Sequence, residues 1–370
     1  MRYFTGWPRA LGVAAAFLFI FALSCSDEGE PTYEQAQWKV AASFDDDTVP
    51  LAAEAFTDGA CYIAGIEYHN SVEEMNAVLY RCRGEALELA FRADDPRSKF
   101  GCIGVAADSV WAGGYYHHNN QGWDPYIVRY DGATFVEVEG IPAITGSVHA
   151  IAPVSKDAAF VGLAHGQEHS VYYYENGTWR LCLDNLPRMW DIELAATPSG
   201  KVFVSCQPEP ASPLIIHCSQ DRGVTWHDEV VEFGPEDYVR GQPHIVTSGE
   251  TLFAAATYIR EMPTGSANIM YIFRRDAAPA GEGIYAADYR EISTDTLPEV
   301  GALAVGTNGE GYGLGREIGY RRRAGTWAPQ DFANMLSYAM WDVTGGVGGF
   351  WAIGEYPRGE GETCRVFVSP

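Results

Sequence analysis

Along most of the chain, apolar residues come in short runs, often alternating with polar ones, and each run stops at Gly, Asp, Asn or Pro. Runs of about four to eight residues bounded in this way predict β-strands joined by tight turns. No stretch of 12 residues combines a 3.6-residue period with helix caps, so no helix is expected. One short pattern keeps returning: an aromatic or apolar pair, then small residues, then often another aromatic. It reads YIAGIEY from Tyr62, VWAGGYY from Val110, FVGLAHG from Phe160, VFVSCQP from Val202, LFAAATY from Leu252, GYGLGRE from Gly311 and FWAIGEY from Phe350. Successive starts lie 42 to 50 residues apart, except for one gap of 59 followed by one of 39. A fixed period of this size marks a repeat architecture.

Each unit has the same internal order. A strand ending in turn residues precedes the pattern, as in SVHAIAPVSKD from Ser147. After a polar loop comes a third strand (AVLYRCRG, YIVRYDG, SVYYYENG, LIIHCSQDRG) and, in the first six units, a tight turn and a fourth. Four strands and their turns fill such a period, which is the size of one propeller blade. The last unit ends at Pro370 after three strands, while one strand without a partner, QWKVAASF from Gln37, precedes the first. Pairing the two closes the ring and removes both open edges. The sequence therefore predicts an all-β protein, a seven-bladed β-propeller whose last blade is closed by the N-terminal strand. Six or eight blades, or a pair of β-sandwiches, are the competing arrangements.

The first 25 residues change the picture of where this propeller works. Arg2 and Arg9 precede an uncharged apolar stretch, Leu11 to Leu23, of 13 residues. That suits the core of a signal peptide and is short for a bilayer span. Ala22-Leu23-Ser24-Cys25 resembles the lipobox of bacterial lipoproteins, although Leu sits one place later than usual. The resemblance implies that Cys25 is diacylated and becomes the new N-terminus, and two chains suffice for stable anchoring. The expected organisation is a lipoprotein signal peptide over 1–24, an acidic tether over 25–35 and the propeller over 36–370. Ser26, rather than Asp, follows the cysteine, which fits an outer-membrane lipoprotein of the cell envelope facing the periplasm or the exterior. Loss of Arg2 and Arg9 takes the net charge from -24 to -26. So acidic a surface repels nucleic acid and anionic lipid head groups, which leaves the lipid as the membrane contact.

The Ser219-Gln220-Asp221-Arg222-Gly223-Val224-Thr225-Trp226 stretch matches Ser-x-Asp-x-Gly-x-Thr-Trp at every defined position. It resembles the Asp-box of the sialidase-like (BNR-repeat) propeller family. The resemblance implies a structural turn between third and fourth strands, built on Ser219, Asp221, Gly223, Thr225 and Trp226, on the face opposite the ligand site. Degenerate copies stand at Tyr130–Phe135, Glu175–Trp179 and Ala324–Trp327. The sialidases of that family also carry an Arg-Ile/Leu-Pro tripeptide and three arginines that grip a carboxylate. The tripeptide is missing here, and no acid and nucleophile pair stands out.

No His-Glu-x-x-His helix, CxxC pair or glycine-rich phosphate loop is present, so neither a metal nor another cofactor is expected. Seven cysteines follow Cys25. Cys61 with Cys82, and Cys206 with Cys218, are the candidate disulfide pairs in an oxidising compartment. Unusual residues gather in the long loops between second and third strands and at the entries to the innermost strands, which share one face of a propeller. The candidate binding face holds Tyr68, His69, Tyr116, His117, Trp123, Asp124, Trp190, Asp191, Tyr258, Arg260, Trp341, Asp342 and Tyr356. Rigid aromatics beside carboxylates suit a glycan or a protein partner. The expected function is a noncatalytic ligand-binding or scaffold lipoprotein. The alternatives are a glycoside hydrolase or lyase on the same fold, and an assembly factor for a membrane complex.

Overall fold

The computed structural model describes residues 34–35, 38–45, 47–69, 71–118, 122–142, 145–166, 168–187, 192–206, 213–231, 237–262, 265–277, 283–293, 300–315, 319–331, 339–346, 349–355 and 364–369. The expected signal peptide, Cys25 and nearly all of the expected tether lie outside them. Among the described residues there is no helix long and apolar enough to cross a membrane.

Seven antiparallel sheets follow one another along the chain, over 48–92, 98–137, 147–187, 193–231, 237–293, 300–331 and 339–369. Blades 1 to 6 each contain a four-strand meander in chain order. Blade 7 has three strands from the C-terminal end, and Lys39–Ser43 completes it, with Val40 opposite Phe367 and Ser43 opposite Arg365. The fold is thus the all-β, seven-bladed propeller that the repeat and the unpaired N-terminal strand predict, closed where they predict it.

The recurring pattern is the second strand of every blade, and its bulky residues pack between blades. Trp111, Phe160, Phe203, Tyr312 and Trp351 are all buried. The uneven spacing also has a plain cause. The first three strands of blade 5 run for 12 or 13 residues, whereas those of blade 6 run for only five or six.

The inner strands carry a second repeat that the alternation of residues does not reveal. In six blades the pairing of inner and second strands slips near the same level, at Pro50/Ala52, Phe100/Cys102, Val148/Ala150, Arg240/His244, Val300/Ala302 and Met340/Asp342. A β-bulge leaves a residue unpaired and re-aims its neighbours. The bulged backbone crowds the second strand, which is why Gly114 stands there: a Cβ would lie 1.8 Å from the carbonyl oxygen of Lys99.

Two expectations need correction. Cys218 lies opposite Phe203, and Cys206 lies opposite Ile215. Three residues of offset separate the cysteines by about 10 Å along the strand, beyond the reach of a disulfide. Cys61 does lie opposite Cys82, yet both thiols are free and buried. The hairpin that closes with Phe56 N–H on the Ala60 carbonyl turns the backbone groups of Cys61 toward Cys82. Hydrogen-bonded pairs hold their Cβ atoms near 5.5 Å, and a disulfide prefers about 3.8 Å.

Candidate functional site

The innermost strands surround a central channel, and the ring of bulges forms its upper part. Leu51, Gly101, His149, Gln242 and Gly301, all at or beside the bulges, line a space of about 370 Å³. Below them small and apolar residues such as Val105, Ala152 and Leu303 line a further 220 Å³ or so. Besides His149 on blade 3, the polar side chains of the upper part come from four blades. Glu54 is on blade 1, Glu193 on blade 4, Gln242 and His244 on blade 5, and Asp342 on blade 7.

These groups are tied into the ring. Gln242 Nε2 donates to Glu193 Oε1 at 3.0 Å, and His244 Nδ1 lies 3.3 Å from the same oxygen. Asp342 Oδ2 accepts the Ala53 N–H at 2.7 Å, and its Oδ1 accepts its neighbour's, Val343 N–H, at 2.8 Å. Thr344 Oγ1 accepts the Ala55 N–H at 2.9 Å and donates to Glu54 Oε2 at 2.7 Å. Blade 7 is therefore joined to blade 1 by side chains that take the place of a strand ladder. Burial raises the Glu54 carboxyl to about 8; the Thr344 hydroxyl opposes this, and the charges of Asp342 and Glu193 add to it. Burial likewise raises Asp342 to about 7, against the two backbone donors, with Glu193 adding and His244 subtracting. At neutral pH Glu54 is mostly a neutral acid that can donate a proton.

A cleft of about 590 Å³ opens between blades 2 and 3 on the loop-rich face, and His149 and Gly101 belong to both cleft and channel. One wall is Trp123, 45% exposed, with its ring centroid 4.0 Å from that of Tyr115 and 6.2 Å from that of His117. Gly114 and Gly146 open the floor; a Cβ on Gly146 would lie 2.0 Å from the Ala164 carbonyl oxygen. Across from the indole, His149 Nε2 shares a 2.8 Å hydrogen bond with Ser147 Oγ. The result is an exposed aromatic plane facing polar groups over a flat floor.

The expected binding residues divide accordingly. Trp123 lines this cleft, His117 packs against its ring, and Tyr68 is near enough to act on Tyr115. Tyr116 and Asp124 alternate to the other side of the same strands and line a separate pocket. His69 and Arg260 are half-buried at the ends of second strands. Tyr258 is a correction. It is 1% exposed, its hydroxyl points at the Val231 carbonyl at 3.4 Å, and its ring packs edge-on against Tyr271, so it belongs to the core between blades. Asp342 faces the channel instead of a surface loop. Trp190, Asp191, Tyr356 and the side chain of Trp341 lie outside the described residues.

Glu54, Glu193 and Tyr115 escape a reading centred on loops. Their signal is a charged or bulky polar residue inside a strand otherwise built of small apolar ones, as in TVPLAAEA.

Two other constellations resolve into structure. Cys218, His227 and Glu229 gather closely, but the Glu229 carboxylate is saturated by Arg275 (2.6 and 2.7 Å), Tyr285 (2.6 Å) and His227 (3.0 Å), which leaves no lone pair for a metal. Ser170 donates to Asp184 at 2.6 Å and accepts from His165 at 2.8 Å, so its proton points away from the histidine that would have to remove it.

The turn at Ser219–Trp226 lies between the third and outer strands of blade 4. Asp221 accepts the Thr225 hydroxyl at 2.6 Å and the backbone N–H groups of Thr225 and Val224 at 2.8 and 3.1 Å. Those donors, Thr225 foremost, hold its carboxyl down at about 2. Gly223 adopts a φ of 73° and donates to Ser219 Oγ at 2.8 Å. Trp226 packs into the cluster around Phe160 and Tyr173 of blade 3.

No family model matches the sequence, and no curated protein matches it either. Solved structures do match its shape. The β-propeller domain of the Trilobed protease from Pyrococcus furiosus superposes with a TM-score of 0.55 at 8% identity, over 88% of this chain and 94% of that one. An α-L-arabinanase of Penicillium chrysogenum complexed with arabinobiose gives 0.46 at 12% identity, over 92% and 98%. A sialidase of Trypanosoma rangeli gives 0.44 at 8% identity, over 91% of this chain but only 58% of its own. At these identities the likeness concerns the propeller fold.

Proposed function

We propose that this chain is a noncatalytic, lipid-anchored propeller of the cell envelope that binds a glycan in the cleft between blades 2 and 3. The observation that carries the reading is Trp123, a large aromatic held 45% exposed by its packing on Tyr115, beside a floor kept flat by glycine. A sugar ring offers an apolar face to an aromatic plane and hydroxyls to flanking polar groups, and His149 and Ser147 stand where such hydroxyls would go. Set in a concave cleft, the indole offers a rigid contact plane at low entropy cost. The hydrogen bonding of the Ser219–Trp226 turn supports kinship with Asp-box propellers, and it lies on the face away from the cleft. The signal sequence and Cys25 supply the anchor, and the acidic surface makes nucleic acid an unsuitable ligand.

A glycan array probed with the full chain in a non-ionic detergent, beside Trp123→Ala, tests the proposal. Binding that the variant loses while keeping its melting temperature supports it. Absence of binding to every glycan, with the protein folded, would move the assignment to a protein partner.

A glycoside hydrolase is the second reading, favoured by one observation: a carboxyl kept neutral near pH 7, Glu54, in a channel shared with Asp342 and Glu193. Release of a chromophore from aryl glycosides that Glu54→Gln and Asp342→Asn abolish would establish it, and activity retained in both variants would remove it.

A further inference from the structure

Cys61 and Cys82 stand directly opposite each other on neighbouring strands of blade 1, in the apolar layer shared with blade 7. Both side chains are fully buried and both thiols are free. The Cys61 thiol donates to the Tyr62 carbonyl at 3.7 Å and the Cys82 thiol to the Gly84 carbonyl at 3.8 Å. A thiol is a weak donor, so these contacts leave either sulfur able to turn. Ala53, Ala55, Ile63 and Trp351 belong to the same cluster and surround the pair with apolar surface. Among the described residues, no third cysteine, histidine or carboxylate gathers with the two thiols into a group of metal ligands.

We propose that this pair binds one soft monovalent cation, cuprous copper, as a two-coordinate dithiolate. The spacing that disfavours a disulfide suits such an ion. Cβ atoms near 5.5 Å apart are too distant for a bridge that prefers about 3.8 Å. Two thiolate–metal bonds of about 2.3 Å place the sulfurs about 4.6 Å apart, which side chains leaning slightly inward can meet. Soft sulfur ligands select cuprous copper, whereas zinc wants four ligands and would find two thiols and an apolar wall. Binding forms two sulfur–copper bonds and breaks two S–H bonds. The cuprous ion enters, two protons leave, and no atom changes its oxidation state. Before the metal arrives both thiols are neutral: burial raises Cys82 to about 11, and raises Cys61 well above its ordinary value, with the charges of Cys82, Glu54 and Asp342 adding to the latter. Buried neutral thiols are inert, and a metal that bonds both sulfurs supplies the free energy to displace their protons. Guanidinium charge lies close to the anion that forms, since Arg81 and Arg83 flank Cys82 along the strand. Access runs through the blade's short turns. Cys61 is the first residue of its strand and Cys82 the last but one of its own, and Asp58, Gly84 and Glu85 in the adjoining turns are exposed. Opening of one turn uncovers both sulfurs. This inference does not rest on the glycan reading, because the pair lies in blade 1 and the cleft between blades 2 and 3.

Titration of the full chain in non-ionic detergent, reduced and free of oxygen, tests it. Cuprous copper is supplied as its bicinchoninate complex, whose colour reports the metal that the protein has not taken. Withdrawal of one equivalent per chain is expected. Cys61→Ala and Cys82→Ala should each weaken that binding by more than about a hundredfold, since even a lost outer contact costs about 10–100-fold. Cys182→Ala, which removes a half-buried thiol of blade 3, should leave it unchanged. X-ray absorption of the wild-type complex should show two sulfur neighbours and no nitrogen or oxygen, a readout that depends on no variant folding. No withdrawal by the folded wild type, a third sulfur or a nitrogen neighbour, or undiminished binding in folded Cys61→Ala or Cys82→Ala would overturn the proposal. Glycan binding should be unchanged in both variants, which separates failure here from failure of the cleft assignment.

Discussion

The channel carboxyls make a quantitative claim about how stability depends on pH. Glu54 is raised from 4.5 to about 8 on folding. At about 1.4 kcal/mol per unit, full ionisation inside the channel would cost the folded state close to 5 kcal/mol. Water in the channel screens part of this, so about 2–3 kcal/mol is the expected loss. The sign follows from linkage: a group with a raised folded pKa stabilises fully below its unfolded value and loses that contribution as pH rises through its folded one. For Glu54 that loss runs up to and through about 8, and Asp342 adds to it through about 7. Glu54→Gln keeps an acceptor for the Thr344 hydroxyl and removes the titration. Urea unfolding from pH 4 to 9 should show the wild type weakening steadily between about pH 4.5 and 8 and levelling off above, while the variant keeps a flatter profile and the same slope with urea. If Glu54→Gln falls off with pH as steeply as the wild type, the carboxyl is solvated like any surface glutamate and the reasoning fails.

Other consequences are equally concrete. Glu229→Ala strands Arg275 at a site where both side chains are at most 10% exposed, so a loss of about 3–5 kcal/mol is expected in the urea midpoint; a loss under about 1 kcal/mol would mean the cluster is not load-sharing. Gly223→Ala puts a Cβ at a φ of 73° and 2.9 Å from the Cys182 sulfur, and should cost about 1–3 kcal/mol. Trp123→Ala, by contrast, should change stability by no more than about 0.5 kcal/mol, because the exposed indole serves a ligand more than the core. Calorimetric melting of both variants checks these two.

The Ser219–Trp226 turn and the channel differ in how they are encoded. Every hydrogen bond within the turn joins residues two to four apart, so the eight letters from Ser219 to Trp226 carry the whole arrangement. Glu54, Glu193, His244 and Asp342 have no such local signature. Ala53 and Asp342, which hydrogen-bond at the seam, are 289 residues apart, and only ring closure makes them neighbours.

The chain by itself determined the strands, their turns and their grouping into repeats of blade size, because alternation and turn chemistry act over a few residues and repeat; the seven sheets of the structure then decided between six, seven and eight blades. It also determined the closing partner, since a lone N-terminal strand and a three-stranded last unit each lack what the other supplies. Tertiary structure decided the rest. Bulges shift the inner strands by one residue, or by two in blade 5, and aim His149 and its neighbours into the channel, a change that leaves no mark on periodicity. The same alternation that makes a strand legible sends Trp123 and Asp124 into different cavities, and only packing against blade 3 shows which cavity each one serves. Tyr258 is buried for the same reason: a tyrosine at the end of a long strand looks exposed until the neighbouring blade covers it.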